Sequence, residues 1–327
     1  FLTKIKDKIL WLTENGLTQR NKVAFMQRNT AMDCFRENHI FHTKEYTDET
    51  ISGCVEDFDV FISGSDQIWK PQVIRGPFVL DFVPQNKAKI SYASSISQNE
   101  LSEEYGKFMR KYLYFYRFIS VREKEAQEYL QHLLKRKVSW VVDPVLLLSK
   151  EEWDCIASAR KIKGKYILGY FLGDSVWERR EAQKYSKQKH LQLVTMPNLK
   201  GRWRFEDYRF GDIQIYDAGV EEFLSLIKNA EYIITDSFHA VVFSYIFQKE
   251  FFVFPRVDKN TNENMNTRIS SFLELIDEPE RLIVQKLDSD MKTIIYEDKI
   301  NSPLEKKRVY SRDILSSILQ SLSEEYI

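Results

Sequence analysis

Three cysteines among 327 residues leave no material for a disulfide scaffold. Cys34, Cys54 and Cys155 also stand too far apart for a zinc motif. An odd set of widely spaced thiols fits reduced cysteines and a cytoplasmic protein. No apolar run approaches the roughly 20 residues of a membrane span, and no secretory leader is visible. The chain opens on Phe1 rather than Met, so further residues are expected upstream. Net charge is missing too: Lys and Arg number 48, and so do Asp and Glu. That balance excludes global steering toward nucleic acid or an anionic membrane, and leaves a local basic pocket open. There is no P-loop, no Gly-x-Gly-x-x-Gly, no His-Glu-x-x-His and no Cys-x-x-Cys, so the chemistries those motifs carry are set aside.

What is present is enough apolar matter for two sizeable cores. The hydrophobic fraction is 43%, with 22 Phe and 17 Tyr, and the length suits two α/β domains. A helix is expected at Lys4–Glu14. Strands are expected at Asp57–Ile62, Ala88–Ser95, Phe118–Val121 and Val138–Val142, with helices after the second and third near Leu101–Tyr114 and up to Leu134. A second series follows: strand Lys165–Gly173, helix 175–189, strand Leu191–Met196, helix Glu221–Asn229, strand Tyr232–Thr235 and strand Phe251–Phe254. Alternation of strand and helix argues for βαβ units and parallel sheets. Residues 197–219, where Arg202, Trp203, Arg204 and Arg209 interleave, read as loop. Residues 260–266 form a polar loop, and Leu304–Leu322 an amphipathic helix. The expected division is 1–145 as an N-terminal α/β domain on the acceptor side, 146–285 as a C-terminal α/β domain on the donor side, and 286–327 as a helical tail.

Candidate chemistry gathers where strands end. Strand Tyr232–Thr235 stops at Asp236 and Ser237, and His239 lies in the first turn of the next helix. Asp236 or Ser237 can cap that helix, whose N-terminus is an anion site; Ser237 adds a hydroxyl and His239 an imidazole, a group that titrates near neutrality. The plain alternative is an ordinary strand-to-helix join. The strand ending at Ile62 runs into Ser63-Gly64-Ser65-Asp66-Gln67-Ile68-Trp69, where Gly64 permits a tight turn and the others offer oxygens, an amide and an indole face to a hydroxyl-rich ligand. The alternative is that Asp66 caps the next helix and Trp69 is core. Arg122 stands at a strand-to-helix passage and suits a phosphate or carboxylate, or else pairs on the surface with Glu123 or Glu125. Arg268 opens a helix, against the preference of the dipole, which hints at a task for its charge.

Taken in order, Phe61-Ile-Ser-Gly-Ser-Asp-Gln-Ile-Trp69, Ile90-Ser-Tyr-Ala-Ser-Ser95, Ile119-Ser-Val-Arg-Glu-Lys124, Val142-Asp-Pro-Val-Leu-Leu147, Ile234-Thr-Asp-Ser-Phe-His-Ala240 and Asn266-Thr-Arg-Ile269 resemble the polysaccharide pyruvyl transferases over about residues 55–280. The resemblance implies two Rossmann-like domains, GT-B-like, with parallel sheets and an active site in the interdomain cleft. It also implies an opening strand with an Asn-Tyr-Gly type loop that this chain does not show, so an incomplete N-terminal sheet is expected. The implied reaction moves pyruvate from phosphoenolpyruvate to a sugar as a ketal during surface polysaccharide synthesis. On that reading His239 and Asp66 are catalytic. Arg122, Arg268, Ser237 and Asp236 hold the donor, and Ser63, Gly64, Ser65, Gln67 and Trp69 the acceptor. No metal and no cofactor beyond the donor is expected. The partners are a small donor and a saccharide acceptor, with peripheral membrane association open through a lipid-linked acceptor and no nucleic acid. Two rivals are carried: a GT-B glycosyltransferase using a nucleotide sugar, and a non-catalytic carbohydrate-binding protein.

Overall fold

The computed structural model describes residues 23–98, 100–197, 204–256, 267–288 and 290–325. Two compact α/β units emerge. One comprises the described parts of Phe1–Thr43, Ser149–Pro255 and Arg281–Ile294. The other comprises those of Lys44–Leu148, Arg256–Glu280 and Ile295–Ile327. We call them the late-sheet and early-sheet units, after the order of their strands.

In the early-sheet unit, β1 (Val60–Ser63) pairs in parallel with β2 (Ala88–Ser91), and β3 (Ser120–Val121) with β4 (Ser139–Trp140). Isolated parallel bridges, Ile90 to Phe118 and Ser94 to Val121, join the two ladders. Every residue of β2 is buried, as expected of a strand covered on both faces. One cover is α2 (Glu103–Leu113) with α3 (Lys124–Leu134), whose Met109, Leu113, Ala126 and Leu130 enter a core with Phe61, Trp69 and Ile119. Ser102 caps α2 by accepting from the Tyr105 amide. The opposite cover is the last helix, α9 (Pro303–Glu325), whose Ile318 and Leu322 pack on Ala88 and Ile90, and whose Ile314 and Leu315 pack on Tyr92 and Val141. The expected tail is therefore the second layer of this sheet.

The late-sheet unit carries five parallel strands, β5 (Tyr166–Tyr170), β6 (Gln192–Thr195), β7 (Ile213–Gln214), β8 (Tyr232–Thr235) and β9 (Glu250–Val253), in the order β7-β6-β5-β8-β9. This is the doubly wound arrangement: the order reverses between β5 and β8, where ligands sit in such sheets. α5 (Val176–Lys189) packs Ala182 and Tyr185 with Phe171, Phe252 and Phe254. α4 (Lys150–Ile156), α6 (Val220–Lys228) and α7 (Phe238–Ile246) are linked by edge-on rings, Trp153 to Phe243 at 4.9 Å and Phe223 to Phe243 at 6.1 Å.

The fold class is the one expected, and the linear division is corrected. The passage between sheets falls at Leu148 and Ser149, but each unit also draws on distant chain. Residues 23–39 form a helix, α1, within the late-sheet unit, where His39 meets Glu221 at 3.5 Å. Helix α8 (Thr267–Leu275), which carries Arg268, belongs to the early-sheet unit. The cause is coverage: a parallel sheet has two faces to bury, and its own crossovers do not close both. The expected helix at Lys4–Glu14 and the polar loop 260–266 lie outside the described residues.

Candidate functional site

All four strand ends of the early-sheet unit deliver polar residues to one place. β1 ends in Gly64-Ser65-Asp66-Gln67, β2 in Ser94 and Ser95, β3 in Arg122 and Glu123, and β4 leads to Asp143. Ser94 Oγ donates to the Gly64 carbonyl at 2.9 Å, and the Ser95 amide to the Asp66 carbonyl at 3.0 Å. The loops are thus sewn together through their backbone carbonyls, by one hydroxyl and one amide.

Arg122 is the centre. Its side chain is 2% exposed. Nη1 donates to Asp143 Oδ2 and, at 3.2 Å, to Ser65 Oγ, and Nη2 donates to Asp66 Oδ1 at 3.1 Å. Glu123 Oε1 lies 3.7 Å from Nε. Burial alone would drive the guanidinium to lose its proton, but Asp143, Glu123 and Asp66 more than reverse that, and its pKa is raised. Glu123 is held up by burial ahead of the attraction of Arg122, with hydroxyls of Ser95 and Ser97 on Oε1. The expected surface pair of Arg122 with Glu123 is a buried one, and Glu125 instead accepts from Ser271 at 3.3 Å.

Asp66 is the member that faces outward, with a side chain 67% exposed, and Arg268 Nη1 stands 3.9 Å from its Oδ1. Its backbone has φ 69 and ψ −176, a region that residues with a Cβ rarely occupy, at a cost of about 1–3 kcal/mol. It makes no side-chain cap to the following turn, so the capping alternative is not what the fold uses. Arg268 is buried, and burial first, then the neighbouring Arg122 charge, pushes it down to about 10. Two guanidinium groups therefore share one exposed carboxylate.

The remaining candidates on this loop divide. Trp69 is 0% exposed, donates Nε1 to the Phe78 carbonyl at 2.9 Å and meets the Tyr116 ring edge-on. This corrects the expectation of a sugar-stacking face: the indole is core, because the turn after Asp66 points it back under the sheet. Ser63 is buried as well, donating to the same Phe78 carbonyl at 2.7 Å. Gly64 is exposed, and Ser65 is half-buried against Asp143 and Arg122. Gln67 is half-buried, and its Nε2 finds no partner among the described residues.

Asp236, Ser237 and His239 belong to the late-sheet unit, at the end of β8. Asp236 is buried, and its carboxylate accepts the amides of Leu172 at 2.6 Å and Gly173 at 2.6 Å. Those two amides follow β5, so Asp236 ties the loops that flank the reversal point. That is a loop-holding task rather than the donor contact expected of it. Ser237 caps α7, accepting from the Ala240 amide. His239, half-buried, follows in the first turn. Arg204, expected within a basic–aromatic loop, turns inward and donates to the carbonyls of Leu172 and Gly173 and to Asp174. Its neighbour Asp207 accepts from Arg179 at 2.8 Å. Asp143, Glu123 and Asp207 were not among the sequence candidates. Only Asp143 had a local signal, its place before Pro144 at a strand end.

Among the described residues no group of His, Cys, Asp or Glu could hold a metal ion, and no helix is long and apolar enough to cross a membrane.

The family described as Polysaccharide pyruvyl transferase matches residues 4–258. No curated protein matches the chain. Among solved structures, the UDP-GlcNAc 2-epimerase of Neisseria meningitidis, bound to UDP-GlcNAc, aligns with a TM-score of 0.50 at 14% identity, covering 83% of this chain and 80% of its own. The UDP-GlcNAc 2-epimerase of Methanocaldococcus jannaschii aligns at 0.47 and 12%, covering 87% and 90%. The first of these likenesses supports the GT-B-like fold and speaks to nothing further.

Proposed function

We propose a function from one premise: this chain belongs to the polysaccharide pyruvyl transferase family. The reading is that it moves a pyruvyl group from phosphoenolpyruvate to a saccharide as a ketal, in the making of a surface polysaccharide. The observation that carries it is the pairing of Arg122 and Arg268 around the exposed Asp66 carboxylate. A donor bearing both phosphate and carboxylate calls for clustered cations, and an acceptor hydroxyl calls for a base within reach of the same cations.

Arg268 is assigned to the donor anion, since its charge is the less well compensated of the two. Arg122, being almost wholly enclosed, is assigned to holding Asp66 and lending its field. Asp66 takes the proton of the attacking hydroxyl. His239 donates a proton or holds the departing phosphate, and Ser237 sets the helix that carries it. In the balanced reaction C3 of the enol gains a proton and two acceptor hydroxyl oxygens become bonded to C2. Phosphate leaves with the C2–O bond pair, and the two hydroxyl protons are redistributed to C3 and phosphate. Ser65, Gly64 and Gln67 are assigned to the acceptor, which can be lipid-linked. Ser63 and Trp69 support that loop from beneath.

Thermal unfolding with phosphoenolpyruvate against a panel of nucleotide sugars tests the donor, because a ligand bound only by the folded state raises the midpoint. Stabilisation by phosphoenolpyruvate, lost in Arg268→Met, is expected. Stabilisation by a nucleotide sugar alone would transfer the reading to a glycosyltransferase. Stabilisation by saccharide with no product under either donor would leave a binding protein. His239→Ala is expected to lower turnover by about two to four powers of ten with the fold intact.

A further inference from the structure

We propose that the face of the early-sheet unit where α2 and α3 end is a docking surface for an anionic lipid bilayer. Arg110 and Lys111 occupy the last turn of α2, and Lys135, Arg136 and Lys137 follow α3. Arg136 fastens the two turns, donating to the Tyr116 carbonyl at 2.7 Å and the Arg117 carbonyl at 3.1 Å. Between them opens a recess of about 590 Å³ lined by Arg110, Tyr114, Leu133, Leu134, Lys135 and Arg136.

The charge here is one-sided. Arg110, Lys111, Lys135 and Lys137 are exposed, and among the described residues none of them has a carboxylate at ion-pair distance, whereas the nearby Lys107 and Arg117 pair with Glu103 and Glu325. Two helix carboxyl ends attract cations and account for part of the excess. They do not account for the aromatics. Tyr114 is 70% exposed and Phe115 43% exposed, side by side among the cations. Aromatic side chains at headgroup level and cations facing anionic headgroups are the two elements of peripheral membrane binding. In a chain with zero net charge this face stands apart.

The face also lies away from the polar cluster. α2 and α3 lead into the starts of β3 and β4, while Asp66, Arg122 and Asp143 follow strand ends. Docking is thus independent of the transfer reaction, and the two can fail separately.

The test is co-sedimentation of the full chain with phosphatidylcholine vesicles, with and without phosphatidylglycerol, at low and high salt. Binding only to the anionic vesicles, and release by salt, is expected. The variant R110Q/K111Q/K135Q/K137Q should bind on the order of a thousandfold more weakly. Tyr114→Ser should weaken binding severalfold, with unfolding midpoint and turnover on soluble substrates unchanged in both. Absence of binding to the anionic vesicles, equal binding to neutral ones, or undiminished binding by the quadruple variant would overturn the proposal. So would capture of a single-stranded oligonucleotide in place of vesicles.

Discussion

Asp143 is the side chain on which the buried charge of Arg122 leans most heavily, and removing it has a calculable effect. Both side chains are enclosed, at 3% and 2% exposure. Breaking such a pair from one side strands a cation and typically costs about 3–5 kcal/mol. Asp66 and Glu123 remain nearby, so the lower end, about 3 kcal/mol, is expected for Asp143→Asn. The Asp143 carboxylate also accepts the Val145 amide at 3.1 Å, capping a turn. Asp143→Ala loses that cap as well, for a further loss of about 1 kcal/mol. Urea unfolding at neutral pH reads both through the midpoint, with the slope unchanged. Adding Arg122→Met to Asp143→Asn should recover most of the loss, since an apolar replacement for a buried pair is close to neutral. If Asp143→Asn alone stays within about 0.5 kcal/mol of the parent, as surface substitutions do, Arg122 is not carrying its charge inside the fold.

Asp66→Gly should relieve the left-handed backbone and leave stability equal to or above that of Asp66→Asn, while both lose turnover; a less stable glycine variant would refute the strain. Arg268→Met should abolish stabilisation by phosphoenolpyruvate while leaving the unliganded fold as stable or more so. The sign follows from its depressed pKa: the folded chain holds that proton less tightly than the unfolded chain, so the charge costs stability at neutral pH. The cost eases only as pH rises through about 10. Glu123 has the opposite linkage. Its folded pKa is raised, chiefly by burial, so stability from this group is lost as pH climbs from the ordinary 4.5 toward the folded value. Glu123→Gln should lack that decline, and parallel melting-temperature profiles against pH would contradict the assignment.

The strand-ending pattern was legible because short apolar runs stop at small polar residues. β8 matched its expected bounds, and α2, α5 and α6 fell within two residues of theirs. β7 was missed because Ile213–Gln214 is too short to show a period. Helix α1 was missed because most of its positions are exposed, Val23, Phe25, Met26 and Met32 among them, so its apolar residues mark no buried stripe. Asp66, Arg122 and Arg268 could be named from the chain, but their grouping rested on the family resemblance and not on their spacing. Arg268 reaches Asp66 from a helix some 200 residues later, and only the folding of α8 into the early-sheet unit brings it there. Trp69 misled because an indole after a polar turn serves a core or a sugar equally well in sequence, and the direction of that turn decides which.

The central claim is pyruvyl transfer, and the measurement that bears on it most directly is mass spectrometry of a saccharide acceptor incubated with the chain and phosphoenolpyruvate. The account predicts that the acceptor gains the mass of pyruvate less one water, with one inorganic phosphate released per product, and that His239→Ala and Asp66→Asn suppress both. An acceptor that stays unmodified with phosphoenolpyruvate yet gains a hexosyl mass from a nucleotide sugar would contradict it.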